Sequence, residues 1–236
     1  MENKAAIVSC SNGKNGTCPP ISERVEALMS AYRNPDIQEI YDISGGDIAN
    51  SILPYLDYEL IAKSNKRFWG YSDLTTIINA IYTKTGKISV LYQRRFYKEE
   101  YADTLFDVKY EFLQGKEMQG ILLGGNIRCL LKLAGTEYWP DMTDKILLLE
   151  ARSGKVPQMI TFLSQLQQLG VFDKVAGILL GTFTEMEKES CQPTIEELVR
   201  EFAGNSIPIA KTMDIGHAPD AKAICIGKYY HFSEEK

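Results

Sequence analysis

Three side chains of complementary chemistry stand in chain order at Ser72, Glu150 and His217. A serine hydroxyl is a poor nucleophile at its own pKa. A histidine within hydrogen-bond reach takes its proton during attack and returns it to the leaving group, a contribution of roughly 10²–10⁴ in rate. A carboxylate behind the imidazole fixes its tautomer and stabilises the imidazolium. The tetrahedral intermediate then needs N–H donors for its oxyanion, and Gly46 and Asp73 are the candidates.

The local sequence says how these groups would be mounted. Ser72 sits between the aromatic stretch Phe68-Trp-Gly-Tyr71 and a helix predicted from Leu74, Ile77, Ile78 and Ile81 at i, i+3, i+4 and i+7. A strand turning straight into a helix projects its corner side chain and aims free N–H groups at whatever binds there. Gly70 relieves such a corner, but Leu74 stands where the G-x-S-x-G elbow has its second glycine, so that motif is half matched. Taken alone, Ser72 reads first as a helix N-cap. Gly45-Gly46-Asp47 is a strand-to-helix turn in which the glycines can take positive φ and present N–H groups, with Asp47 as its cap. Glu150 ends the buried strand predicted at 145–150, where an unpartnered acid is costly. His217 lies in Gly-His-Ala-Pro, a turn that offers it no packing purpose.

The remaining chain alternates strand-like and helix-like segments, which favours an α/β fold with two domains over its 236 residues. Residues 1–92 form the expected N-terminal domain carrying the serine, 93–117 a connection, and 118–236 the C-terminal domain carrying the acid and histidine. Ser9–Thr17 reads as a connecting loop, because Gly13-Lys14 lacks phosphate-loop spacing. In 93–117, Phe96, Tyr97, Tyr101 and Phe106 serve hinge packing or a subunit contact more readily than ligand stacking. Arg94-Arg95 reads as a solvated pair, with carboxylate or phosphate binding as the alternative. Gly124-Gly125-Asn126 repeats the glycine-turn-helix device, and Thr194-Ile-Glu-Glu197 is a capping box.

Composition removes several classes of function. The formal charge is −5 with acids and bases interspersed, so no basic stripe suits a nucleic acid. No signal peptide and no apolar run of bilayer length is apparent, which gives the expectation of a soluble cytoplasmic protein without a membrane partner. Five cysteines without a C-x-x-C pair fit reduced thiols, and two distant histidines make a structural metal unexpected.

Gly45-Gly46, Leu53–Ile61, Gly70-Tyr-Ser-Asp-Leu-Thr75, Gly124-Gly-Asn126, Gly135–Asp141, Leu147–Glu150 and Gly216-His217 together resemble the successive signatures of the LD-carboxypeptidase family of serine peptidases. That family includes muropeptide LD-carboxypeptidases and microcin C immunity peptidases. The resemblance implies a Ser72-Glu150-His217 triad and oxyanion donors from Gly46 and Asp73. It also implies a flavodoxin-like N-terminal α/β domain, a swivelling β/β/α C-terminal domain, a site between them, no cofactor and a homodimer. Ser44–Asn50 looks more like the microcin-immunity group, so the substrate implied is a peptidyl nucleotide or an L,D-muropeptide. The chain is shorter than usual members between Ser9 and Val25, where a helix and strand are missing, and between Tyr92 and Gly120. Two other readings stay open from the residues: a generic α/β-hydrolase esterase, and a binding protein that keeps the three residues as structure.

Overall fold

The computed structural model describes residues 4–11 and 18–234, apart from the side chains of Phe96 and Tyr101. The Gly13-Lys14 portion of the expected loop lies outside the described residues. The first half runs β1 (Ala5–Val8), α1 (Ile21–Arg33), β2 (Glu39–Asp42), α2 (Tyr58–Lys63), β3 (Arg67–Gly70), α3 (Thr75–Thr85) and β4 (Ser89–Leu91), with a 3-10 turn at Ala49–Tyr55 and another at Ser72–Leu74. The second runs β5 (Glu111–Gln114), β6 (Glu117–Asn126), α4 (Ile127–Leu131), β7 (Lys145–Ala151), α5 (Val156–Gln168), β8 (Gly177–Phe183), α6 (Thr184–Lys188), α7 (Ile195–Ala203), β9 (Ile209–Lys211), β10 (Ile224–Ile226) and β11 (Tyr229–Ser233).

Strands β1 to β4 lie parallel in sequence order, so each β-α-β connection returns to the next position. One face of this sheet, with Ile40 and Phe68, packs into the main core alongside Leu28, Ile61 and Ile77 of the helices. The opposite face is covered by the chain between the halves: Trp69 and Val90 pack with Leu105, and Phe106 lies 6.0 Å from the Trp69 ring. Two of the four aromatics expected at the hinge, Tyr97 and Phe106, therefore pack on this sheet. The second sheet has the order β11-β6-β7-β8-β9-β5, parallel in its middle and antiparallel at both edges.

Two strands cross the division expected from the sequence. β5, inside 93–117, pairs with β9 of the second sheet, and β10 pairs antiparallel with β4 of the first. The connection at 93–117 contains two 3-10 turns, Arg94–Phe96 and Glu99–Thr104.

Local chemistry explains the helix ends that matter. Gly86 ends α3 at φ 69, its N–H bonded to Tyr82 O. Thr194 and Glu197 close the capping box of α7 from both sides. Helix α3 packs on β3, β4, β6 and α4, and so lies between the halves. Its polar groups bind across that boundary: the Asn79 amide donates to Gly124 O and accepts from Gly124 N–H, both at 2.9 Å, while Thr75 Oγ1 accepts from Asn126 N–H.

Candidate active site

The strand-helix corner holds Ser72 in the left-handed region at φ 54, a conformation that costs a non-glycine residue and needs surrounding structure to maintain it. A helix N-cap adopts extended backbone and spends its side chain on the next turn. Here Tyr71 precedes the 3-10 turn and no side chain caps it, so the capping reading of Ser72 does not hold. Gly70 is required because a Cβ there would meet Leu74 Cβ at 2.8 Å. Leu74 itself is fully buried, and Phe68 crowds the same point at 3.0 Å.

The structure brings the three separated residues together. Ser72 Oγ lies 3.4 Å from His217 Nε2, and His217 Nδ1 lies 2.8 Å from Glu150 Oε2. The second contact is an ion-pair distance off the linear hydrogen-bond direction. Glu150 is 1% exposed at its side chain, and neither of its oxygens has a hydrogen-bond donor among the described residues.

Elements of both halves hold these groups. Glu150 is on β7 in register with Asn126 of β6. His217 lies on the loop after β9, where Thr182 N–H donates to Ile215 O, Lys109 N–H to Asp214 Oδ2, and Tyr71 Oη to Gly216 O at 3.1 Å. The Tyr71 ring also lies 4.4 Å from the imidazole. Burial, followed by the Glu150 charge, pushes the Tyr71 phenol well up, so it stays a donor.

The oxyanion candidates have distinct settings. Gly46 has φ 152 and lines the same cleft as Ser72 and His217. Asp73 is the second residue of a 3-10 turn, where the N–H has no intrahelical acceptor. Its carboxylate is fully buried, accepting from Ser11 Oγ and Ala49 N–H, each at 2.8 Å, and from Lys132 Nζ at 2.6 Å. Asp47 does not cap the turn; Ile48 precedes the 3-10 segment and Asp47 takes Arg128 and Lys132 instead.

The cleft measures about 500 Å³ and is lined by Gly46, Ser72, His217 and three guanidinium groups, those of Arg95, Arg128 and Arg152, with no Asp or Glu. Arg95 is exposed, as a solvated side chain would be, and also borders the cleft. Arg94 instead lies over Tyr97, 3.6 Å from the ring centre. The residues at or beside the cleft that sequence reasoning passed over are Arg128 and Arg152, which line it, and Lys132, which holds Asp47 and Asp73. Arg128 and Lys132 sit beside the glycine-turn signature Gly124-Gly125-Asn126, the one signal that could have drawn attention to them. No group of three or more potential ligands suited to a metal occurs among the described residues.

Known proteins share this arrangement of chain. Residues 4–93 match the family model of the LD-carboxypeptidase N-terminal domain, and residues 119–232 that of the C-terminal domain. The putative carboxypeptidase YocD of Bacillus subtilis is 29% identical over 88% of this chain and 76% of its own. The microcin C7 self-immunity protein MccF of Escherichia coli is 26% identical over 88% and 74%. A probable murein peptide carboxypeptidase of Bacillus subtilis is 27% identical over 87% and 72%. Among solved structures, an MccF-like protein of Bacillus anthracis superposes with a TM-score of 0.85 at 25% identity, covering 99% of this chain and 94% of its own. Both domain models match in order and together take in most of the residues, so the chain belongs to the LD-carboxypeptidase family.

Proposed function

We propose that this carboxypeptidase works through Ser72 as nucleophile, His217 as general base and acid, and Glu150 as the carboxylate that orients and stabilises the imidazole. The observation that carries the reading is Ser72 held at φ 54 with its hydroxyl 3.4 Å from His217 Nε2. Ser72 Oγ attacks the scissile carbonyl carbon while its proton passes to Nε2. The carbonyl oxygen becomes an oxyanion facing the N–H groups of Gly46 and Asp73. Collapse of the intermediate breaks the C–N bond, and the Nε2 proton goes to the departing amine. Water then enters, gives a proton to the same nitrogen and attacks the acyl-Ser72 ester; the acyl–Oγ bond breaks, the Nε2 proton returns to Ser72 Oγ, and the acid is released.

The substrate is a small peptide-like molecule carrying negative charge near its C-terminal portion. Three guanidinium groups and no carboxylate line the cleft, and Arg presents a planar fork that matches carboxylate and phosphate. A muropeptide and a peptidyl nucleotide both meet this description. The described cysteines are all free, which favours action in the reducing cytoplasm.

Mass-spectrometric turnover of a muropeptide tetrapeptide and a peptidyl aminoacyl-adenylate analogue, by the native protein and Ser72→Ala side by side, tests this. Cleavage of one substrate by the native protein alone is the expected result. Equal turnover by Ser72→Ala would sink the triad.

A further inference from the structure

Lys132 follows α4 in the second half, yet every hydrogen bond of its ammonium ends in the first. Nζ donates to Asp73 Oδ1 at 2.6 Å, to Asp47 Oδ1 at 2.6 Å and to Asp47 O at 2.9 Å. Asp47 follows Gly46 in the chain, and Asp73 is the other donor residue itself. One ammonium therefore ties together the two segments whose N–H groups face the site. We propose that Lys132 is the positioning residue of the oxyanion hole, holding the Gly46 and Asp73 segments at a fixed separation from a point in the opposite half. The inference rests on the reading of Ser72 as nucleophile with Gly46 and Asp73 as donors.

Burial separates this cluster from an ordinary surface ion pair. The Lys132 side chain is 18% exposed and that of Asp73 0%, whereas Lys63–Glu59 joins two groups more than three-quarters exposed. Exposed pairs contribute little, but a buried carboxylate stripped of its partner is an uncompensated charge. Asp73 would carry that charge in the residue whose own N–H must meet a developing oxyanion. Lys132 thus has two effects with one sign: it fixes the donors in space, and it cancels a negative charge that would oppose the negative transition state. Burial disfavours the ammonium, but the bonds to Asp47 and Asp73 outweigh it and raise its pKa above the ordinary lysine value. The lysine stays charged across the neutral range. Arg128 shares Asp47 at 2.7 Å and keeps that carboxylate turned toward α4.

The test compares Lys132→Met, Asp47→Asn and the double variant with the native protein. The readouts are the labelling rate of Ser72 by a fluorophosphonate probe, and kcat and KM on whichever panel substrate is cleaved. A misplaced donor acts on the transition state, so K132M is expected to slow labelling and kcat about 10²-fold with KM nearly unchanged. Asp47 is mostly exposed, so D47N leaves the fold intact; it is expected to slow both about tenfold, and the double variant to be no slower than K132M. Native labelling in a folded K132M overturns the proposal. Should circular dichroism show K132M unfolded, D47N decides alone, and a native rate there overturns it. Labelling of Ser72→Ala at the native rate would instead overturn the nucleophile assignment.

Discussion

Two strand-to-helix corners open onto the same cleft and treat their corner side chains in opposite ways. At the first, β3 turns into the 3-10 segment and α3, and Ser72 is held at φ 54 with its hydroxyl directed to His217. At the second, β6 turns into α4, and Asn126 has ordinary extended backbone at φ −64, its side chain capping Cys129 N–H. The corners are stitched together by Thr75 Oγ1 and Asn126 N–H at 3.1 Å. A side chain spent on its own helix stabilises the fold, while one withheld from the helix at a cost in backbone strain is available for chemistry. The two corners therefore differ in where the polar atom's hydrogen bond goes.

The sharpest way to break this contrast is to remove each corner side chain. Ser72→Ala is expected to lower kcat by about 10⁶-fold with an unfolding midpoint at or above that of the native protein. Glu150→Gln comes next, with about a 10⁴-fold loss in kcat, since an amide cannot stabilise the imidazolium. Both are read by steady-state kinetics beside thermal unfolding. Asn126→Ala is expected to act mainly on stability, by about 1 kcal/mol for the lost cap, measured in urea. A large fall in kcat at unchanged stability would show the second corner to be reactive too. Tyr71→Phe removes one bond to Gly216 O and is expected to cost about 1 kcal/mol, with a smaller loss in kcat as the histidine loop loosens.

The smallest effect is the pH response of the Lys132 cluster. Its folded pKa lies above the unfolded value, so the lysine's contribution is complete below about pH 10.4 and lost as pH rises through the folded pKa. Hydrogen bonds from Lys132 and then Arg128 lower the Asp47 pKa, so its contribution holds above about pH 3.9 and fades as pH falls through the depressed value. The stability difference between native protein and K132M should therefore be flat over about pH 5–9 and shrink in stronger alkali. A step inside the flat range would show that another titrating group governs the cluster.

Local pattern made much of this legible. Leu74, Ile77, Ile78 and Ile81 located the α3 helix, although Thr75, Thr76, Asn79 and Ala80 between them are buried as well, and Thr194 with Glu197 marked the start of α7, because periodicity and capping are short-range properties. The serine, acid and histidine were legible as chemistry through their types and settings. Whether they meet was not, because the 3.4 Å and 2.8 Å contacts depend on pairings across the whole chain. Taken alone Ser72 reads as a cap, and its positive φ is a property of the folded corner that local pattern does not announce. Arg128 on the short helix α4 and Lys132 just after it have nothing nearby in sequence to announce Asp47 and Asp73 as their partners. The strand Ile224–Ile226 was not read from the sequence, and its place beside β4 follows only from the closed fold.

Placing β10 in the first sheet and β11 in the second makes the last strands of the chain the closing edge of both. During synthesis the N-terminal residues emerge first, at about 5–20 residues per second, yet neither sheet is complete until residues 224–233 have left the ribosome. Ser72 and His217, 145 positions apart, therefore reach their 3.4 Å spacing only in a chain long enough to include the strands that close both sheets.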